Sequence, residues 1–235
     1  SGNGKMRIDL TGNPLSEKIN FSREHLIVKW GKPFEAPKIA YILPEVRKLI
    51  LEGQYTKAVN MAFDATIKAG NIPNAQNQAG ISAFTMTLVQ PKEGAIHNYL
   101  RTIDFESSEV KVLWEDQKGQ WERSSFVSRP DNIVVQLLTA PQGQKLNTTI
   151  ALNTRVPKSS NLTYERDFNE QRLIIKGHFD PKTGNSGYAG VVRVVLNGGK
   201  AGIENGTLVV EGAKSLMLLT SIEVYNDLQK SNVEE

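Results

Sequence analysis

From Ser82 to Ser221 the chain is cut into short strand-like runs by turn residues, and only one earlier stretch reads as helix. The strand candidates are Ala83–Val89, Asn98–Phe105, Glu109–Glu115, Gln120–Val127, Ile133–Ala140, Asn147–Leu152, Asn161–Glu165, Arg172–Gly177, Gly190–Leu196, Thr207–Glu211 and Ser215–Ser221. Turn signals separate most of them: Asp116 to Gly119, Asn197-Gly198-Gly199, Asn205-Gly206 and Glu211-Gly212. Roughly a dozen short strands joined by hairpins argue for two packed antiparallel sheets rather than a parallel α/β fold.

The front of the chain adds to this pattern. Met6, Ile8 and Leu10 alternate with Arg7, Asp9 and Thr11, the period of a half-buried strand. Gly12-Asn13-Pro14 supplies a turn, and Lys18 to Phe21 resumes a strand with Ile19 and Phe21 on one face. Lys29 to Lys38 and Asn71 to Gly80 read as loops. Between them, Ala40 to Gly70 reads as two short helices joined at Gly53. Pro44 suits a first turn, where a missing N–H costs nothing, and Gly53 suits the position just past a helix end. Val46, Leu49 and Ile50 stripe the first helix, and Tyr55, Ala58, Val59, Ala62 and Phe63 stripe the second. Helices this short cannot bury both stripes on each other alone.

Composition excludes several function classes. There is no cysteine, so disulfides, thiolate metal sites and cysteine nucleophiles are all ruled out. The net charge of +3, from 28 basic and 25 acidic residues, is too small for a nucleic-acid footprint, and the basic residues are scattered. No apolar run approaches the roughly 20 residues of a helical membrane span. The chain starts at Ser1 rather than Met, which reads as a processed or trimmed terminus, and the setting expected is periplasmic or extracellular.

Candidate chemistry is sparse. Gly2-Asn3-Gly4-Lys5 lacks the second spaced glycine and the Ser/Thr of a phosphate loop, and reads as a close backbone approach at the start of a strand. His25, His97 and His178 lie far apart and outside any zinc-ligand spacing, so neither metal nor cofactor is called for. Asp104 with Glu106, and Glu115 with Asp116, are the acid pairs that glycoside hydrolysis would require, but both sit at turns. No G-x-S-x-G elbow occurs. Trp114 and Trp121 flank one hairpin: exposed they would stack on sugar rings, and inward-facing they would pack across the strands.

Several stretches together resemble the N-terminal domain that precedes the catalytic barrel in glycoside hydrolase family 95, the α-L-fucosidase group, a domain related to that of family 65. Gly2 to Met6 (GNGKM) is similar to its G-N-G-R-L opening, and Glu17 to Leu26 (EKINFSREHL) to its E-R-I-x-L-N-E-D-T-L. Leu43 to Ala58 (LPEVRKLILEGQYTKA) follows its L-P-E-I-R-x-L-L-x-E-G-K-Y-x-E-A. Tyr99 to Phe105 (YLRTIDF), Phe126 to Val135 (FVSRPDNIVV) and Gly206 to Leu219 (GTLVVEGAKSLMLL) are similar to strands of its sandwich. The likeness covers nearly the whole chain. Departures are Ile27 in place of tryptophan, Ser22 in place of asparagine and Arg7 in place of glycine.

The resemblance implies a mainly β fold, an antiparallel β-supersandwich with an inserted short helical pair, over residues 1–225. Residues 226–235 then read as the start of a linker toward an (α/α)6 barrel of the same parent polypeptide. In such enzymes the acid and base sit on the barrel, so no catalytic residue is assigned here. The expected role is a non-catalytic domain of a fucosidase-like enzyme of bacterial polysaccharide degradation, packing against and walling the barrel's active site. Asn3, Arg23, Glu24 and His25, polar residues clustered between strands, are the candidates for facing that neighbour or its carbohydrate. Two alternatives stay open: a free-standing carbohydrate-binding module with an aromatic platform, and a mutarotase-like enzyme needing a histidine and a carboxylate together.

Overall fold

The computed structural model describes residues 1–29, 37–70, 78–154, 162–179 and 187–225. The expectations for most of the Lys29–Lys38 and Asn71–Gly80 loops, and for the tail 226–235, lie outside the described residues. The chain divides into two compact units, Ser1–Val28 with Gly80–Glu235, and Lys29–Ala79.

The strands, antiparallel within the two larger sheets, are β1 (Met6–Leu10), β2 (Ser16–Arg23), the short β3 (Ile27–Lys29) and β4 (Gln78–Gly80), β5 (Phe84–Val89), β6 (His97–Ile103), β7 (Val110–Asp116), β8 (Gly119–Val127), β9 (Val134–Thr139), β10 (Leu146–Asn153), β11 (Thr163–Phe168), β12 (Arg172–His178), β13 (Gly187–Asn197), β14 (Lys200–Glu204), β15 (Thr207–Ala213) and β16 (Ser215–Tyr225). One sheet of six strands runs β1-β2-β5-β10-β15-β14, and one of eight runs β11-β12-β13-β16-β9-β8-β7-β6. The expected supersandwich with its helical pair is therefore the observed fold class.

Alternation decides which side chains enter the core. In β1, Met6 and Ile8 are buried while Arg7 and Asp9 are exposed. Phe21 of β2 stacks on Phe84 of β5 at 4.7 Å between ring centroids. Trp114 and Trp121 face each other across the β7–β8 hairpin, stacked at 6.0 Å and both buried. They are a packing pair and not a sugar platform.

Two of the expected hairpin turns are corners between sheets. After Asn197 the chain leaves β13 of the eight-stranded sheet for β14 of the six-stranded one. At Gly212–Lys214 it crosses back, from β15 to β16. The two corners abut: Lys214 N–H donates to Asn197 C=O at 2.7 Å. A Cβ on Gly199 would stand 2.4 Å from Glu211 O, a contact only glycine avoids. Strand β14, not expected from sequence, completes the edge beside β15.

The smaller unit holds a 3-10 turn (Ala40–Ile42), α1 (Leu43–Leu51) and α2 (Tyr55–Lys68). Helix α1 ends in a Schellman motif: Gln54 N–H donates to Leu49 C=O and Gly53 N–H to Ile50 C=O, with Gly53 at φ 74°. Only Ala58 and Ala65 of the helices are buried. Among the described residues no helix is long and apolar enough to cross a membrane.

Candidate functional site

Residues Arg23 to Leu26 form a tight turn after β2. Leu26 N–H donates back to Arg23 C=O at 3.3 Å, and His25 adopts φ 62°, a left-handed conformation rare outside glycine. Leu26 is buried and anchors the turn, so Glu24 and His25 are turned outward; the His25 side chain is 84% exposed. Its Nε2 lies 3.9 Å from Glu24 Oε2. The turn is tied to the start of the chain by Glu24 N–H donating to Lys5 C=O at 2.8 Å.

Asn3 works from behind. Its Oδ1 accepts from Lys5 N–H (2.9 Å) and Met6 N–H (2.8 Å), closing the bend before β1. Its Nδ2 donates to Ser128 C=O at 2.9 Å and to Asn132 Oδ1 at 3.1 Å, in the connection from β8 to β9. Arg23 Nη1 donates to the same Asn132 Oδ1 at 3.1 Å. One acceptor thus holds two of the four candidates, both at the same end of the antiparallel β1–β2 pair, where Met6 lies opposite Arg23. Sequence reading passed over Asn132, although the Ser128–Asn132 run was visible as a motif. Its left-handed φ of 55° is of the kind asparagine tolerates best after glycine.

In front of this framework lies an open depression of about 750 Å³ lined by Lys5, Arg7, Asp9, Arg23, Glu24 and His25 among others. Arg7 and Asp9, two apart on β1, pair at 3.0 Å in its lining and both are exposed. Asn3 is not part of its lining. The site is polar, carries both signs of charge and is open to solvent. It has the character of a contact surface rather than an enclosed pocket that excludes water.

The other sequence candidates are accounted for by structure. Asp104 caps its own turn, accepting from Glu106 N–H at 2.8 Å, and those backbone bonds hold its carboxyl below the usual range. Asp116 accepts from Lys118 N–H and from Trp121 Nε1. His97 is exposed on β6. His178 stands apart from the other two histidines: its Nδ1 is 3.2 Å from the Tyr225 hydroxyl, and its Nε2 is 3.5 Å from Glu165 Oε1. Burial pushes the Tyr225 hydroxyl up, with the Glu165 charge adding to it. Among the described residues no cluster of His, Cys, Asp and Glu has the makings of a metal site.

One buried ionic centre was missed. Glu17 at the start of β2 pairs with Arg123 of β8, and both side chains are sealed from solvent. Glu17 Oε1 also accepts from Thr11 N–H, Thr11 Oγ1 and Gly12 N–H at 2.7–2.9 Å. Arg123 Nη2 donates to Asn13 C=O at 2.9 Å, and the guanidinium lies 5.5 Å from the centre of the Trp114 ring. Burial draws the Arg123 proton affinity down from its ordinary value, with the Glu17 charge opposing. A lone arginine inside the otherwise packing-competent run Gln120–Val127 was the available signal.

A family model described as the glycosyl hydrolase family 65 N-terminal domain matches residues 1–225. The alpha-L-fucosidase 2 of Arabidopsis thaliana is 19% identical over 181 residues, which is 77% of this chain and 20% of that protein. A solved structure described as a kojibiose phosphorylase from human microbiome superposes on 65% of this chain with 11% identity and a TM-score of 0.49, a likeness too loose to bear on function. The chain spans 20% of the fucosidase and 24% of the phosphorylase.

Proposed function

Given that the chain belongs to the glycosyl hydrolase family 65 N-terminal domain family, we propose that it is a non-catalytic sandwich which packs against a catalytic domain of the same polypeptide and partly walls its active site. Asn3, Arg23, Glu24 and His25 form the facing surface: Glu24 and His25 make contact, and Asn3 and Arg23 hold the turn in place. The activity of the parent is read as fucosidase-like hydrolysis of a glycoside, and carbohydrate is the ligand that the wall would meet.

The observation that carries this reading is where the last strand goes. Thr220 of β16 lies opposite Val134, and Val134 opposite Val127. Beyond Thr220, β16 therefore runs past the Ser128–Asn132 connection that holds Asn3 and Arg23. Val224 pairs with Tyr188, whose hydroxyl donates to Ala83 C=O, and Ala83 N–H donates to Phe21 C=O, two residues before Arg23. Tyr225, at the end of β16, and the Arg23–Leu26 turn thus lie at one end of the sandwich.

The test is alanine substitution at Glu24 and His25 in the polypeptide encoded by the uninterrupted natural reading frame. The two domains are expected to associate about tenfold more weakly, as loss of a polar interface contact predicts. Unchanged association removes the proposed facing surface.

A second reading, a mutarotase-like enzyme, has one observation behind it: His178 lies between Tyr225 and the Glu165 carboxylate. Loss of a sugar-converting activity in His178→Ala, but not in His25→Ala or His97→Ala, would support it. The Trp114–Trp121 pair is internal and supplies no platform for the module reading.

A further inference from the structure

The two tryptophans of the β7–β8 hairpin are both buried, but their indole N–H groups are served differently. Trp121 Nε1 donates to Asp116 Oδ2 at 2.9 Å. Trp114 is sealed from solvent, and its Nε1 has no hydrogen-bond partner among the described residues. Buried tryptophan N–H groups usually have one. Gln90, one residue past β5, is the converse case. It is 7% exposed, and its Oε1 is a buried acceptor that also has no partner among the described residues. Its backbone is fixed in place, with Gln90 N–H donating to Leu15 C=O at 2.9 Å.

Trp114 and Gln90 line one small cavity. It measures about 10 Å³, and Leu15, Glu93, Asp116 and Lys118 are among its other walls. Roughly 10–15 Å³ is the room that one water molecule takes, and a buried water needs two to four polar partners. Glu93 and Lys118 already satisfy each other, paired at 2.7 Å. The chemistry then selects the occupant. It must accept from an indole N–H and donate to an amide oxygen within the volume of one small molecule. A metal ion or an ammonium offers nothing to the N–H. An anion offers nothing to the amide oxygen and would lie beside two carboxylates. A hydrocarbon leaves both groups unpaired. Water serves both.

We propose that this cavity is a binding site for a single ordered water molecule, which accepts from Trp114 Nε1–H and donates to Gln90 Oε1. The water is a bridge between the sheets, because Gln90 continues from β5 of the six-stranded sheet and Trp114 belongs to β7 of the eight-stranded one. It also extends the buried ionic centre. The Arg123 guanidinium lies 5.5 Å from the centre of the Trp114 ring, so the indole meets the cation with its ring and the water with its N–H. Glu17, Arg123, Trp114, the water and Gln90 then form one polar path through the interior. The site is separate from the Arg23–Leu26 surface and does not depend on what that surface meets.

A crystal structure of the protein at a resolution that shows buried waters tests this. A single peak is expected within about 2.7–3.2 Å of both Trp114 Nε1 and Gln90 Oε1. In solution, the Trp114 indole proton should give a cross-peak to water of the sign that held water produces. Gln90→Leu removes the acceptor and fills the space, so it should abolish both the density peak and that cross-peak. The Trp121 indole proton, bonded to Asp116, should be unchanged in the variant. Should Gln90→Leu fail to fold, the wild-type map decides alone. No peak in a map that resolves other buried waters would overturn the proposal. So would a Trp114 Nε1 bonded directly to a protein oxygen, or a peak that persists in Gln90→Leu.

Discussion

The two ends of β2 carry charge in opposite ways. At its start, Glu17 is sealed from solvent, and its oxygens accept from two backbone N–H groups, a hydroxyl and a guanidinium. At its finish, Arg23 reaches one side-chain oxygen, while the neighbouring Glu24 and His25 face solvent. Six positions along one strand thus separate a buried ionic centre from an open one. The first joins the two sheets, because Arg123 belongs to β8 and Glu17 to β2. The second leaves hydrogen-bonding capacity open to solvent at the end of the sandwich where Tyr225 stands. Charge that joins the sheets is buried and paired, whereas charge at the Arg23–Leu26 turn stays hydrated.

The largest effect should come from breaking the closed end. Arg123→Ala strands the Glu17 carboxylate in the core, and denaturant unfolding should show a loss of about 3–5 kcal/mol. Replacing both partners with apolar residues of similar size should restore much of that loss. Burial penalises the charged form of Arg123, with the Glu17 charge opposing, so removing both charges together removes that penalty. A double variant as unstable as the single one would mean that the network, and not the stranded charge, sets the cost.

Asn132→Ala should cost less, about 1–2 kcal/mol, because it removes the shared acceptor of Asn3 and Arg23 at a half-open site. Asn132→Gly keeps the left-handed backbone available and should lose only the hydrogen-bond part of this. Equal losses in the two variants would show that backbone strain contributes nothing. Smallest of all, Glu24→Ala with His25→Ala should leave the melting midpoint of residues 1–235 unmoved, within about 0.5 kcal/mol of stability. A larger loss would make that turn part of the fold rather than a surface held for a partner.

Most of the sandwich was legible because its strands alternate. The alternation read from Met6 to Thr11 falls on the strand Met6–Leu10, and the candidates from Ala83 to Ser221 fall on observed strands with shifts of a few residues, as strand ends depend on the partner strand. Strand β14 escaped because Lys-Ala-Gly-Ile-Glu has glycine in the middle and too little apolar pattern to register. The corners at Asn197–Gly199 and Gly212–Lys214 read as hairpins, since glycine marks a reversal without saying which sheet receives the next strand. The Trp114–Trp121 pair was visible as a pair, and only burial shows that it faces inward.

The candidate site was legible as a cluster but not as a mechanism of support. Arg23, Glu24 and His25 are contiguous, so their proximity needs no fold. What holds them is Asn132, more than a hundred residues away, and no local pattern announces a contact between loops of different sheets. The same holds for Glu17 and Arg123, whose partnership arises only when β2 and β8 are brought face to face.

The most direct measurement sets purified residues 1–235 beside the polypeptide encoded by the uninterrupted natural reading frame and follows hydrolysis of α-L-fucosides and other glycosides by each. Turnover by the longer polypeptide and none by residues 1–235 is the expected result. Hydrolysis by the shorter chain at a comparable rate would contradict the non-catalytic role and place the reacting acids within the sandwich.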